Sequence, residues 1–306
     1  MFDFILNPLK IIVSWILVQF HSVFSGVFGS SSGVTWSLSI VGLVLVIRIV
    51  LIPLFVKQIR SQRNLQLIQP QMKEIQTKYA GDRERQAQEM QKLYRETGTN
   101  PLASCFPLLA QTPVFFALFS VLQGISMEHA QGVFQWSQYT PLLAQAHNAS
   151  IFGVPLYGTF MNAAETAAPQ ATRILAAIMV VLMTATTFTT QRQLIVKNVA
   201  ADNPIVQQQK VLLYVFPFVF AIGGVGFPIG VLLYWLTTNL WSMGQQFWVI
   251  RNSPSVGTPA HAAYLERKAA KAKKRGFASE EVVETETESK SQRVQPKRQA
   301  RSKRKK

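Results

Sequence analysis

Long stretches without charge are what most restrict the fold of this chain. Residues 104–125, 174–190, 211–222 and 229–250 contain no Asp, Glu, Lys or Arg, and 36–56 contains only Arg48. A hydrocarbon core about 30 Å thick is crossed by about 20 helical residues. The two shorter runs approach that length with flanking polar residues and the Gly-rich turn between them. A membrane barrel needs short alternating segments instead. The pattern therefore predicts an all-α, polytopic membrane protein with a five-helix core. Its spans are expected at about 36–56, 103–125, 172–191, 210–224 and 228–250.

Charge then orients the spans. The connection 57–98 holds nine Lys/Arg, 126–172 none, 191–210 three (Arg192, Lys197 and Lys210), and the turn 223–228 none. Basic connections favour the cytoplasmic side, which predicts hairpin 57–98, loop 191–210 and the tail as cytoplasmic and 126–172 as external. The formal net charge is +16, and residues 251–306 account for +10 of it, with 16 Lys/Arg against 6 Glu. Such a tail suits anionic lipid or RNA. The single cysteine, Cys105, excludes an intramolecular disulfide and reads as a small packing residue. The opening MFDFILNPLK has an acid at Asp3 and no Arg/Ser-rich leader, so a bacterial plasma membrane is expected.

Three segments flank or interrupt the core. In 1–30, Asn7 can cap a helix and Pro8 suits a first turn. Lys10, Ser14, His21 and Ser25 then form a narrow polar stripe beside an apolar face with Trp15 and Phe20. That fits an amphipathic helix in the outer interface; a sixth span is the alternative. Residues 57–98 read as two helices meeting at Ala80–Asp82, with Pro70 kinking or restarting the first. Forty-two residues exceed what joining two adjacent spans requires, which favours a docking element over a plain linker. The tail 253–306 has little to bury and is expected to be disordered or only partly helical. Lys271, Lys273, Lys274, Arg275, Lys303 and Arg304 are its candidate contacts to ribosomal RNA or lipid headgroups; simple solvation is the alternative.

Arg48 is the chemical anomaly. It lies eight residues before Val56, about 12 Å from that end of its span at 1.5 Å per residue. A central arginine costs ~2.5–3.5 kcal/mol on insertion scales, yet the other four spans contain no Asp or Glu. They offer neutral polar groups: Thr184, Thr187 and Gln191 at helical spacing in one, and Trp235, Asn239, Ser242 and Gln246 in another. Individually these are interhelical hydrogen-bonding groups. Together with an unpaired cation they suggest a hydrated pocket that receives an acidic guest, with prolines 53, 107, 113, 217 and 228 splaying the helices around it.

Three stretches carry a resemblance: VIRIVLIPLFVKQIRSQRNLQLIQPQMKEIQTKY, ETGTNPLASCFPLLAQTPVFFALFSVL and VFPFVFAIGGVGFPIGVLLYWLTTNLWSMGQQ. Over roughly 1–252 the chain resembles the YidC/Oxa family of membrane protein insertases, in its Gram-positive form without a large external domain. The resemblance implies an insertase that receives nascent hydrophobic segments in a hydrophilic groove and releases them into lipid, alone or with the Sec translocon. It implies that Arg48, Gln191 and Trp235 line the groove; Thr187 and Asn239 join them from the polar pattern. Implied partners are nascent membrane proteins, the ribosome and the signal recognition particle pathway. Long, Lys/Arg-free 126–172 departs from the family pattern without a functional explanation. No phosphate-binding loop, nucleophile motif or metal-ligand cluster occurs, so neither an enzyme nor a cofactor is expected. The alternative is a secondary transporter or anion channel using Arg48, against which stands the lack of an internal repeat.

Overall fold

In the computed structural model the described residues are 2–56, 68–98, 106–198, 215, 219, 221–254 and 259–274. Helix α1 covers Phe2–Phe28 and α2 Gly33–Val50. Next come α3 (Gln69–Lys78), α4 (Arg83–Glu96) and α5 (Phe106–Ser126). Helix α6 is Thr140–His147, and a hairpin pairs β1 (Ser150–Ile151) with β2 (Val154–Pro155). Then follow α7 (Pro169–Asn198), α8 (Ile229–Asn252) and α9 (Pro259–Lys274). Three stretches among the described residues are long and apolar enough to cross a membrane: Phe4–Phe28, Gly33–Val50 and Pro169–Thr190. The span expected at 210–224 falls largely outside the described residues.

Local chemistry accounts for the helix limits. Ser32 caps α2 by accepting from the Val34 amide at 3.2 Å, as small hydroxyl residues do at N-caps. The helix stops at Val50, earlier than the expected 56, because Pro53 cannot donate to Ile49 and its ring crowds that carbonyl. The Leu51 amide covers the Ile47 and Ile49 carbonyls instead, and residues 52–56 resume a helical path. In the hairpin, Pro70 lies in the first turn of α3, and Asp82 caps α4 by accepting from Arg85 at 3.0 Å. The Tyr94 hydroxyl donates to the Met72 sulfur at 3.9 Å across the hairpin, and burial raises its pKa.

The core is the seam where α2 and α7 meet α8 and where α1 lies on α2 and α5. Leu17, Trp36, Leu43, Leu118, Met183 and Leu232 are fully buried there. Helix α1 begins at Phe2, so Asn7 is not its cap and Pro8 lies inside it. Its polar stripe turns toward the protein. Ser14 is completely buried and accepts from the Val133 amide at 2.8 Å; Lys10 donates to Gln131 at 3.1 Å. His21 is paired with the Ser30 carbonyl at 2.8 Å and lies against Trp36. The exposed face is apolar, with Phe4, Ile5, Ile12, Trp15, Val23 and Val27.

The segment 126–172 is folded, with 3₁₀ turns at Gly132–Gln135 and Ala163–Glu165 around α6 and the hairpin. It caps the helix ends. The Gly158 and Leu156 carbonyls accept from the Ile229 and Gly230 amides at 2.9 Å each, serving the two leading donors of α8 that its Pro228 cap cannot. His147 pairs with the Ile125 carbonyl at 3.1 Å at the end of α5 and stacks on Tyr157.

Gly132 has φ +60, and a Cβ there would strike the Ser14 oxygen and the Lys10 carbonyl. Gly153 has φ +79 but open space around it. Left-handed backbone costs a non-glycine residue about 1–2 kcal/mol. Gly132→Ala should therefore lower the melting temperature in detergent clearly more than Gly153→Ala, with both read by thermal unfolding.

Candidate functional site

Arg48 lies in the last turn of α2 and is half-buried. Phe55 comes beside it, with the guanidinium carbon 5.6 Å from the ring centroid. That is within cation–π range. Val44, Ile47, Gln111, Val114, Leu118, Tyr234 and Thr238 line the adjoining pocket. Its free room is on the order of one water molecule. Among the described residues, no carboxylate pairs with Arg48.

The polar lining comes from two helices. Tyr234 and Thr238 stand one turn apart on α8, and both line this pocket. Gln111, one turn into α5, has a buried Oε1 with no partner among the described residues. A guanidinium offers five N–H donors in a fixed fork. A cation, an unserved amide oxygen and two hydroxyl groups therefore converge on one small space. Phe55 partly offsets the buried charge, but a ring face cannot accept five hydrogen bonds.

The other expected groove residues are distributed differently. Asn239 Nδ2 donates to Thr187 Oγ1 at 2.9 Å and reaches the Met183 carbonyl at 3.4 Å, so these two residues join α7 to α8. Thr184 and Ser242 donate to carbonyls of their own helices. Trp235 packs among aromatic rings, with Phe115 at 5.9 Å and Phe227 at 5.5 Å. The backbone of Gln191 lies in α7, which continues to Asn198, past the expected end at 191; its side chain is outside the described set. Tyr234, Thr238, Gln111 and Phe55 were not singled out from the sequence. Gln111 is the only amide side chain between Ser104 and Leu122, an interruption of an apolar run that had the same character as Arg48 itself.

Within the tail, 259–274 is helical, as the expectation of partial helicity allows. Helix α9 lies against α7 and α8, and Arg267 donates to the Arg251 carbonyl at 2.9 Å. A cation thereby covers an orphan carbonyl at the end of α8. Lys271 is exposed, and Lys273 and Lys274 have helical backbones. Arg275, Lys303 and Arg304 lie outside the described residues.

With this geometry in view, comparison with known proteins is decisive on kinship. The family model described as 60Kd inner membrane protein matches residues 27–256. The chain belongs to that family. It is 54% identical over 274 residues to a membrane protein insertase YidC of Streptomyces avermitilis, covering 87% of this chain and 62% of that protein's length. It is 39% identical over 279 residues to the YidC of Tropheryma whipplei strain Twist, covering 85% and 89% respectively. A solved structure titled "Active YidC insertase crystal structure with the first transmembrane domain resolved" is matched with a TM-score of 0.48 and 23% identity, over 78% of this chain and 46% of that one. The resemblance expected from the motifs thus holds. The chain is an all-α, multi-pass membrane protein, of a family not enzymatic in the catalytic sense.

Interhelical hydrogen bonds within membranes average about 0.6 kcal/mol in double-mutant cycles, with a maximum near 1.7. Thr187→Val, Asn239→Leu and the double variant should show coupling of that size in detergent unfolding. Purely additive losses would mean that the pair contributes no mutual stabilisation.

Proposed function

We propose that this protein is a membrane protein insertase in which Arg48 receives the polar or acidic end of an incoming segment from the cytoplasmic side. The observation that carries the reading is a half-buried guanidinium with no carboxylate partner among the described residues, beside an unserved Gln111 oxygen. A guest carboxylate would supply the charge that the described residues do not place there. With room for about one water, the pocket forms the inner end of a hydrophilic groove. Gln191, Trp235, Thr187 and Asn239 belong to its walls, the last two chiefly by holding α7 to α8.

Release follows from partitioning. About 20 apolar residues at roughly −0.3 to −0.6 kcal/mol each provide on the order of −10 kcal/mol for entering lipid. That exceeds one charge–carboxylate contact in a partly hydrated site. Membrane potential adds about 2.3 kcal/mol per charge per 100 mV for an acidic segment carried outward.

In this reading hairpin 57–98 and the tail are cytoplasmic and receive substrates from ribosomes or the signal recognition particle pathway, with or without the Sec translocon. The basic residues of α9 and the tail meet ribosomal RNA or anionic lipid. Helix α1 rests at the outer interface. Leu17 shares a pocket with Leu122, Ile125 and Ser126 at the end of α5, and Ser14 holds the external segment. The Leu17 pocket also includes Trp36 and Ile40, in the first half of α2. The chain spans 62% of the Streptomyces avermitilis relative, so assignments that depend on the whole protein are part of this proposal.

Arg48→Ala should sharply reduce insertion of a substrate with an acidic translocated tail, whereas Arg48→Lys retains much of it, in reconstituted vesicles scored by protease protection. Equal insertion by both variants would reject a receptor role. A loss confined to small anions in a flux assay would favour a transporter. Deleting 261–306 should weaken ribosome co-sedimentation, and that difference should shrink as salt rises; unchanged co-sedimentation would remove the tail from the mechanism.

A further inference from the structure

The external hairpin carries an unusual turn. Strands β1 and β2 pair Ile151 with Val154, leaving Phe152 and Gly153 as a two-residue loop. Their φ values are +52 and +79, the double left-handed geometry for which Asn-Gly and Gly-Gly are the favoured sequences. A bulky aromatic at the first position is an outlier. Phe152 is 95% exposed, the most exposed large hydrophobic residue among those described. The ring therefore gains almost nothing from the rest of its own chain to offset either its backbone conformation or its contact with water. A contact outside the chain supplies the missing stabilisation.

The position of the hairpin identifies that contact. The Ser150 carbonyl occupies the space where a Cβ on Gly33 would stand, and Gly33 is the first residue of the membrane-crossing stretch Gly33–Val50. Phe152 is two residues farther along, about 7 Å at strand spacing. The interfacial layer flanking the hydrocarbon is about 5–8 Å deep on each side. Aromatic side chains concentrate in that layer. At the end of α1 and the start of α2, Val27, Phe28 and Val34 are also exposed. The segment 126–172 has no Lys or Arg, so the contact does not rest on attraction to anionic headgroups.

We infer that Phe152 is a lipid anchor: the hairpin tip inserts its ring into the bilayer interface at the N-terminal end of α2 and fixes the external cap to the membrane. The inference depends on the chain being membrane-embedded, not on the insertase assignment or on which leaflet is the outer one.

The test uses the full-length chain in vesicles of phosphatidylethanolamine and phosphatidylglycerol. Cys105→Ser removes the native thiol, and Phe152→Cys, Val27→Cys and Gln138→Cys each receive a nitroxide label. At 152, collisions with oxygen should dominate those with a water-soluble nickel chelate, as at 27, while the label at 138 shows the reverse. A 152 label that matches 138 overturns the anchor. So does protection from both reagents, which would signify a protein partner or a second copy covering the tip. In detergent, the labelled Phe152→Cys variant should melt with the Cys105→Ser parent. A marked drop would place Phe152 in an internal contact and also refute the inference.

Discussion

Every polar group carried into hydrocarbon must find a partner, and this demand organises the molecule more than any hydrophobic contact does. Apolar side chains are satisfied almost equally by lipid and by each other, so burial alone cannot decide which helix faces meet. The decisive contacts are polar. Ser14 holds the Val133 amide, carbonyls of segment 126–172 serve the first donors of α8, and Asn239 reaches across to Thr187. Segment 126–172 therefore acts as a shared cap for several helices. Removing it would strand donors at the helix ends as well as expose surface.

Arg48 is one place where the demand is met incompletely from within; Trp36, Ser37 and Gln246 also bury polar atoms with no partner among the described residues. Phe55 lies over the cation, and Tyr234 and Thr238 bring hydroxyl groups beside it. The consequence is a site with donors and an acceptor in close quarters and little room. Selectivity in such a site follows from charge and hydrogen bonding more than from shape. That suits the proposed role, in which incoming segments would differ in sequence and share only an apolar stretch next to a polar end.

The fold class was legible because charge-free runs and capping residues are local signals. Asp82 and Pro70 marked hairpin helix starts, and Arg48 stood out by its charge alone. What surrounds Arg48 was less legible, since periodicity gives the face of a helix but not the partner opposite. Trp235 and Tyr234 are adjacent in an aromatic stretch; packing, not spacing, sends the first toward Phe115 and the second toward the guanidinium. Thr187 and Asn239 were singled out separately, but their mutual bond is a property of how α7 crosses α8. The polar stripe of α1 fits either an interfacial helix or a sixth span, and in the fold it meets segment 126–172 through Ser14 and Lys10. The order of that segment escaped prediction because its contacts are long-range, joining Val133 to Ser14, His147 to Ile125 and Leu156 to Gly230.

The Arg267 contact at the end of α8 ties a surface event to the membrane interior. The same helix that ends under this side chain carries Tyr234, Thr238 and Asn239. A ligand that competes for the Arg267 guanidinium would leave the Arg251 carbonyl to water, while the Ser253 amide and the Asn252 side chain still cover the Val249 and Trp248 carbonyls. The tail thus bears directly on the last turn of the helix that carries the hydroxyl groups beside Arg48.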